Sequence, residues 1–174
     1  MSGVLFPSGY QLEPLRRDHS RQGFDSGVRE VDAWLATRAL QSQSKRLSST
    51  KLLVAAGRIA GYFTLASGHI KFDELPIELA RGLPRRTLPV ATLAWLGVDR
   101  RHQGQGLGAR LLAQALRDCC AASKAFPFIA VVLDCLNEDA KQFYQRWDFR
   151  ELPGAPYRLY LSAARLEAMM TGDQ

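Results

Sequence analysis

The chain has 174 residues, 47% hydrophobic and 23% charged, which suits one folded domain with its own core and excludes a disordered chain. No apolar run reaches the roughly 18 residues of a membrane helix, and the start, "MSGVLFPSGYQLEPLRRDHS", lacks the basic-then-apolar pattern of a secretory leader. The net charge of +6 admits a polyanionic partner or cofactor.

In chain order, "FDSGVREVDAWLATRALQSQSK" carries Val31, Trp34, Leu35 and Leu40 near helical spacing, with Ser26 as its expected N-cap. "RLSSTK", residues 46–51, reads as a polar break. "KLLVAAGRIAGYFTLASGHI" then gives two β-rich runs hinged near Gly57 and Arg58, a hairpin with His69 at its end. "KFDELPIELARGLPRRTLP" is loop-rich, with room for one helical turn between its prolines. "VATLAWLGV" is a nearly continuous apolar run, as a strand buried on both faces requires.

Leu107, Leu111, Leu112, Ala115 and Leu116 form the apolar stripe of a long helix. "FIAVVLDCL" is a second buried strand, and "NEDAKQFYQRWDF" a short helix capped by Asn137, with Glu138 and Asp139 in its first turn. "YRLYLS" is a strand and "SAARLEAMM" a closing helix. The order is mixed α/β, in a single domain over residues 1–174. Cys119, Cys120 and Cys135 cannot all pair and have no zinc-ligand spacing, so they read as reduced, buried thiols of a cytoplasmic protein, with no metal site.

The most informative stretch joins the first buried strand to the long helix: "VDRRHQGQGLGARLL". Gly104, Gly106 and Gly108 alternate there, just after basic residues. A tight turn needs one glycine. Three at every second position, ending at a helix N-terminus, describe a loop whose free backbone N–H groups face a phosphate that a Cβ would hold off. A P-loop would end in Gly-Lys-Ser/Thr, whereas Gly108 is followed by Ala109 and Arg110. A dinucleotide fingerprint would read G-x-G-x-x-G, and the spacing here is G-x-G-x-G.

The segment resembles the Arg/Gln-x-x-Gly-x-Gly/Ala signature of the GNAT superfamily of acyl-CoA-dependent N-acyltransferases, with Arg101, Gly104 and Gly106 in place. Asn137, Ala140, Phe143, Tyr144 and Phe149 match that family's N-x-x-A-x-x-F-Y helix, with Asp148 where its pattern has glycine. The resemblance implies a central mixed sheet flanked by helices, with a V-shaped split between the two buried strands for acetyl-CoA. It assigns the diphosphate to the backbone of Gln103, Gly104, Gln105, Gly106, Leu107 and Gly108, the outer phosphates to Arg101 and His102, and the pantetheine arm to Leu96, Gly97 and Val98. Asn137 would reach the cofactor as well. Tyr144 would be the catalytic acid that helps expel the thiol, and the Val98 N–H the donor to the oxyanion. No general base stands out: His19 has no catalytic context, His69 ends a strand as a candidate lining residue, and Asp73, Glu74 and Asp99 read as surface or turn carboxylates.

The first half resembles the GNAT toxins of bacterial type II toxin–antitoxin pairs through Phe24, Ser26, Gly27, Asp32, Trp34, Leu35, Gly61, Tyr62 and Leu65. Trp95 replaces an arginine of their strand pattern. This likeness implies acetylation of the α-amino group of aminoacyl-tRNA, arrest of translation, a ribbon-helix-helix antitoxin through which operator DNA is bound, and a homodimer. Lys45, Arg46, Arg81, Arg85 and Arg86 are the expected contacts to tRNA phosphates. Two other readings remain open: a GNAT enzyme for a small amine or protein N-terminus, and a non-catalytic module of an antitoxin–DNA repressor complex.

Overall fold

The computed structural model describes residues 3–172. Its strands are β1 (Tyr10–Pro14), β2 (Ser49–Ala55), β3 (Arg58–Lys71), β4 (Thr87–Val98), β5 (Ala130–Asp134), β6 (Arg150–Leu152) and β7 (Ala155–Ser162), in one mixed sheet ordered β1-β2-β3-β4-β5-β7-β6. The helices are α1 (Arg29–Thr37), α2 (Ala39–Ser44), α3 (Ile77–Ala80), α4 (Leu107–Ser123), α5 (Glu138–Gln145) and α6 (Ala163–Thr171). Contacts group the chain into two units, one of residues up to 66 with 93–117, the other of residues 67–92 with 118 onward.

In the first unit β1 and β2 are antiparallel, with Leu12 opposite Leu53. β2 and β3 follow, with Thr50 opposite Thr64 and a bulge where Leu53 faces Gly61 and Val54 faces Ile59. The apolar stripe of α1 supplies Val31 and Leu35 to a core with Leu15, Phe24, Leu52 and Tyr62. Helix and strand approach closely because Gly97 has no side chain: a Cβ there would lie 2.6 Å from Cγ1 of Val31. The Tyr62 hydroxyl donates to the carbonyl of Val31 at 2.6 Å, tying helix to sheet by a buried polar bond.

In the second unit Ala91 and Thr92 of β4 run parallel to Val131 and Val132 of β5. β5 pairs antiparallel with β7 over its whole length, from Ala130 opposite Ser162 to Asp134 opposite Arg158, and β6 pairs with β7 at the sheet edge. Its core gathers Ile70, Val90, Ala130, Val132, Leu152 and Tyr160.

Several expectations need correction. Ser26 is not the N-cap of α1: that position is Val28, with no side-chain cap. The Ser26 hydroxyl instead accepts from the Val28 N–H at 3.1 Å, while the Asp32 carboxylate reaches back to the Ser26 N–H at 2.8 Å. The expected single helix is broken at Arg38 into α1 and α2. The polar break is shorter than its composition implies. β2 begins at Ser49, because the Thr50 hydroxyl is buried against that of Thr64 at 2.7 Å. β3 continues past His69 to Lys71. β1 and β6 escaped the sequence pattern because one is a five-residue strand without alternation and the other has three residues.

Candidate active site

β4 ends at Val98, and Arg100–His102 make a single 3-10 turn before the glycines. Gly104 and Gly106 both adopt left-handed backbone, with φ of 81° and 79°. A Cβ at either would meet nothing of the protein within 4 Å. Glycine here answers backbone conformation and leaves the space above the loop open. Gly108 lies in the first turn of α4. The first α4 bond that reaches back into the loop runs from the Arg110 N–H to the Gly106 carbonyl at 3.2 Å. The N–H groups of Leu107, Gly108 and Ala109 therefore precede the helical ladder, at the positive end of a helix of 17 residues. An open, cationic cradle of main-chain donors suits a diphosphate.

The loop is braced from three sides within its own unit. Gln103 donates from Nε2 to the carbonyls of Val98 at 2.8 Å and Ser26 at 2.9 Å, and the Asp99 N–H donates to the Ala60 carbonyl at 2.8 Å. Both ends of the peptide after Val98 are thereby fixed. Tyr10, from the strand the sequence pattern missed, brings its hydroxyl 2.7 Å from Nδ1 of His102 and accepts from Nε2 of Gln105 at 3.1 Å. The β1–β2 pairing is what brings Tyr10 to the loop.

Asp99 corrects a sequence expectation. Its carboxylate is buried, accepts from the N–H groups of Arg101 at 2.9 Å and Asp25 at 3.1 Å, and is paired with the Arg101 guanidinium at 3.0 Å. Burial alone would raise its pKa; the Arg101 side chain and the two backbone donors outweigh that and hold it at about 2. The acid behind the loop is thus an anion at neutral pH that clamps the turn, and its hydrogen bonds leave it no role as a base. Arg101 is correspondingly committed to Asp99, with half its side chain exposed toward solvent.

In the second unit Asn137 caps α5 as expected, accepting from the Ala140 N–H at 2.8 Å. Tyr144 is buried near the end of α5, edge-on to Phe143 and Phe149 at ring separations of 5.1 and 5.8 Å. Burial, with a smaller effect of the Cys135 thiol, pushes its hydroxyl well above the ordinary tyrosine value. The hydroxyl keeps its proton at neutral pH. Lys141, one turn earlier, is pinned to Glu151 at 2.5 Å and lies 5.0 Å from the centre of the Tyr157 ring. Asp148 has φ of 68°, which explains the usual glycine of the pattern, and the Arg165 guanidinium holds its carboxylate at 2.5 Å.

The three cysteines are free and buried, burial pushing Cys119 up to about 12 and Cys135 to about 11. Among the described residues no cluster of His, Cys, Asp and Glu could hold a metal, and no helix is long and apolar enough to cross a membrane. Lys45 and Arg46 are exposed at the end of α2, and Arg81, Arg85 and Arg86 are exposed between α3 and β4, Arg85 over the Phe72 ring at 5.2 Å. His19 and His69 belong to neither constellation: His19 accepts from the Arg16 N–H at 2.9 Å, and His69 is exposed on β3.

The acetyltransferase (GNAT) domain family matches residues 48–151. A tRNA-acetylating toxin of Mycobacterium tuberculosis is 34% identical over 150 residues, covering 86% of this chain and 89% of that protein. The solved structure of AtaT complexed with acetyl-methionyl-tRNAfMet superposes with a TM-score of 0.84 at 27% identity, covering 92% of this chain and 99% of the other. The crystal structure of AtaTR bound with AcCoA gives 0.83 at 27% identity, covering 94% and 99%.

Proposed function

Because this chain belongs to the GNAT acetyltransferase family, we propose that it moves the acetyl group of acetyl-CoA onto the α-amino group of aminoacyl-tRNA and so stops translation, restrained by an antitoxin. The observation that carries the reading is the open loop of left-handed glycines ahead of α4, whose unpaired N–H groups fit the diphosphate. The likeness to a tRNA-acetylating toxin and to AtaT with acetylated tRNA supports the acceptor, and the likeness to the AtaT toxin bound to the C-terminus of the antitoxin AtaR supports the antitoxin.

When bound, acetyl-CoA supplies an activated thioester carbonyl. Leu107, Gly108 and Ala109 hold the diphosphate through their N–H groups, and Leu96 and Gly97 carry the arm along β4. The Val98 N–H is assigned to the carbonyl oxygen as negative charge grows on it, where a fixed donor acts without reorganising. Tyr144 is assigned the proton for the departing sulfur, since burial keeps its hydroxyl protonated. Lys45, Arg46, Arg81, Arg85 and Arg86 are assigned to tRNA phosphates.

Neither the carboxylate nor the imidazole beside the loop is free to strip the attacking amine. Asp99 is locked, and His102 is engaged with Tyr10. The amine must lose its proton by its own titration. An α-amino group with a pKa near 8 is about one-tenth neutral at pH 7, a lysine side chain below about one-thousandth. This arithmetic favours an α-amine acceptor. The kcat/KM against pH should therefore climb and level off above about pH 8, without falling before about pH 10; a fall inside that window would assign the proton elsewhere.

The direct test supplies labelled acetyl-CoA with total charged tRNA, polyamines and protein. Label should enter charged tRNA, and Tyr144→Phe should lower kcat by about 10²-fold or more. Label in polyamines or protein N-termini, with charged tRNA blank, overturns the reading.

A further inference from the structure

A groove of 640 Å³ runs along α1 and α2 and is lined by Trp34, Thr37, Arg38, Gln41, Lys45 and Leu47, together with Ser42. Its size is that of a small-molecule site. None of its lining residues is acidic. Arg38 and Lys45 are both exposed, and among the described residues neither has an ion-pair partner. Leu47 is 65% exposed at the rim.

The aromatic wall is rigid. One side of Trp34 stacks on Trp95, with ring centres 5.5 Å apart and planes 15° from parallel. Its Nε1 donates to the Thr64 hydroxyl at 3.2 Å, and that hydroxyl is paired with Thr50 in the core. An indole fixed at one face and at its nitrogen loses little freedom when something flat meets the rest of it.

The cationic rim is built at a conformational cost. Arg46 follows α2 with φ of 62°, in the position where helices normally place glycine. Its N–H donates to the Gln43 carbonyl at 3.0 Å and the Leu47 N–H to that of Ser42 at 2.9 Å, a complete Schellman closure around the wrong residue type. Strain of this kind persists where the surroundings enforce it and is concentrated at ligand clamps. Here it sets Lys45 and Leu47 on the same rim.

A fixed indole flanked by unpaired cations, with no acid in the groove lining, matches the chemistry of an unpaired nucleotide: a base to stack and phosphates to neutralise. We propose that the α1–α2 groove takes an unpaired nucleotide from the 3′ end of the acceptor RNA, its base against Trp34 and its phosphates against Arg38 and Lys45. This rests on aminoacyl-tRNA as the acceptor and names where its single strand is gripped. An acidic peptide would use the cations and leave the indole idle.

The test uses the full chain and two uncharged RNA hairpins with one acceptor stem, one ending in an unpaired CCA and the other blunt. Binding is read by fluorescence anisotropy across a salt series, so no acetyl transfer is involved and its outcome is separate from that of the acceptor assay. Arg38→Gln with Lys45→Gln should weaken the overhanging hairpin about tenfold or more, lower its salt slope by about 1–2, and change the blunt hairpin less than about twofold. The paired variant Arg38→Lys with Lys45→Arg should restore binding within about twofold, because charge is what the phosphates read. Trp34→Phe should fall between, and thermal melting checks that each variant folds. Equal weakening of both hairpins, no weakening of either, or an acidic antitoxin peptide that displaces no overhanging RNA while itself depending on Arg38 and Lys45 would overturn the proposal.

Discussion

The loop at Gly104 and Gly106 and the turn at Arg46 share left-handed backbone beside a cationic surface, yet fill it with opposite side chains. At the loop the proposed binding groups are main-chain N–H groups, and a Cβ would stand between them and a phosphate. At Arg46 the main chain is consumed in closing α2, and what faces solvent is the side chain. Backbone recognition demands glycine. Side-chain recognition tolerates arginine at a cost of roughly 1–2 kcal/mol in conformational strain. Asp148 is the intermediate case, a short acid at φ of 68° steadied by Arg165.

Substitutions can break this contrast, and the largest effect falls on the loop. Gly106→Ala should weaken acetyl-CoA binding about 100-fold in calorimetry, since a Cβ at this left-handed position strains the loop and holds the phosphate off N–H groups whose charge-assisted bonds are worth about 2–3 kcal/mol. Unchanged affinity would mean that the backbone there is not the ligand-binding group.

Next is the clamp behind the loop. Asp99→Asn should lower stability by about 1–2 kcal/mol at pH 7, read by chemical denaturation. The folded-state pKa of Asp99 is depressed, from 3.8 to about 2. Its stabilisation is therefore complete above about pH 4 and disappears as pH falls toward 2, so wild type and variant should converge in acid. A gap that persists at pH 2 would show that packing, and not the carboxylate charge, holds the turn.

The smallest effect has the opposite sign. Arg46→Gly should raise stability by about 0.5–1 kcal/mol by relieving the left-handed arginine. A loss of stability would mean that the arginine side chain holds the turn and that the two left-handed sites are alike after all.

How far these features were legible depends on how local their causes are. The glycine spacing, the stripe of α4, the hairpin and the Asn137 cap could be read because each is decided within a few residues. Tyr10 could not be found that way. It lies 92 residues from His102, in a short strand without alternation. Asp99 looked like a turn acid because no local pattern shows that the Asp25 N–H will meet it from 74 residues away. Ser26 had the composition of an N-cap, but Asp32 satisfies its N–H and shifts the helix start to Arg29.

Taken alone, the amino-acid order decided the alternation of apolar strands and helices and put free N–H groups of a glycine loop at a helix start. Hydrophobic periodicity and glycine's tolerance of positive φ act over single turns of chain. Only the tertiary structure decided what those groups rest on: Tyr10 against His102, Asp99 buried under Arg101, Trp34 clamped by Trp95 and Thr64. The reason is physical. Burial and long-range hydrogen bonds change what a side chain is free to do, and which partners arrive is set by strand pairing, not by neighbours in sequence.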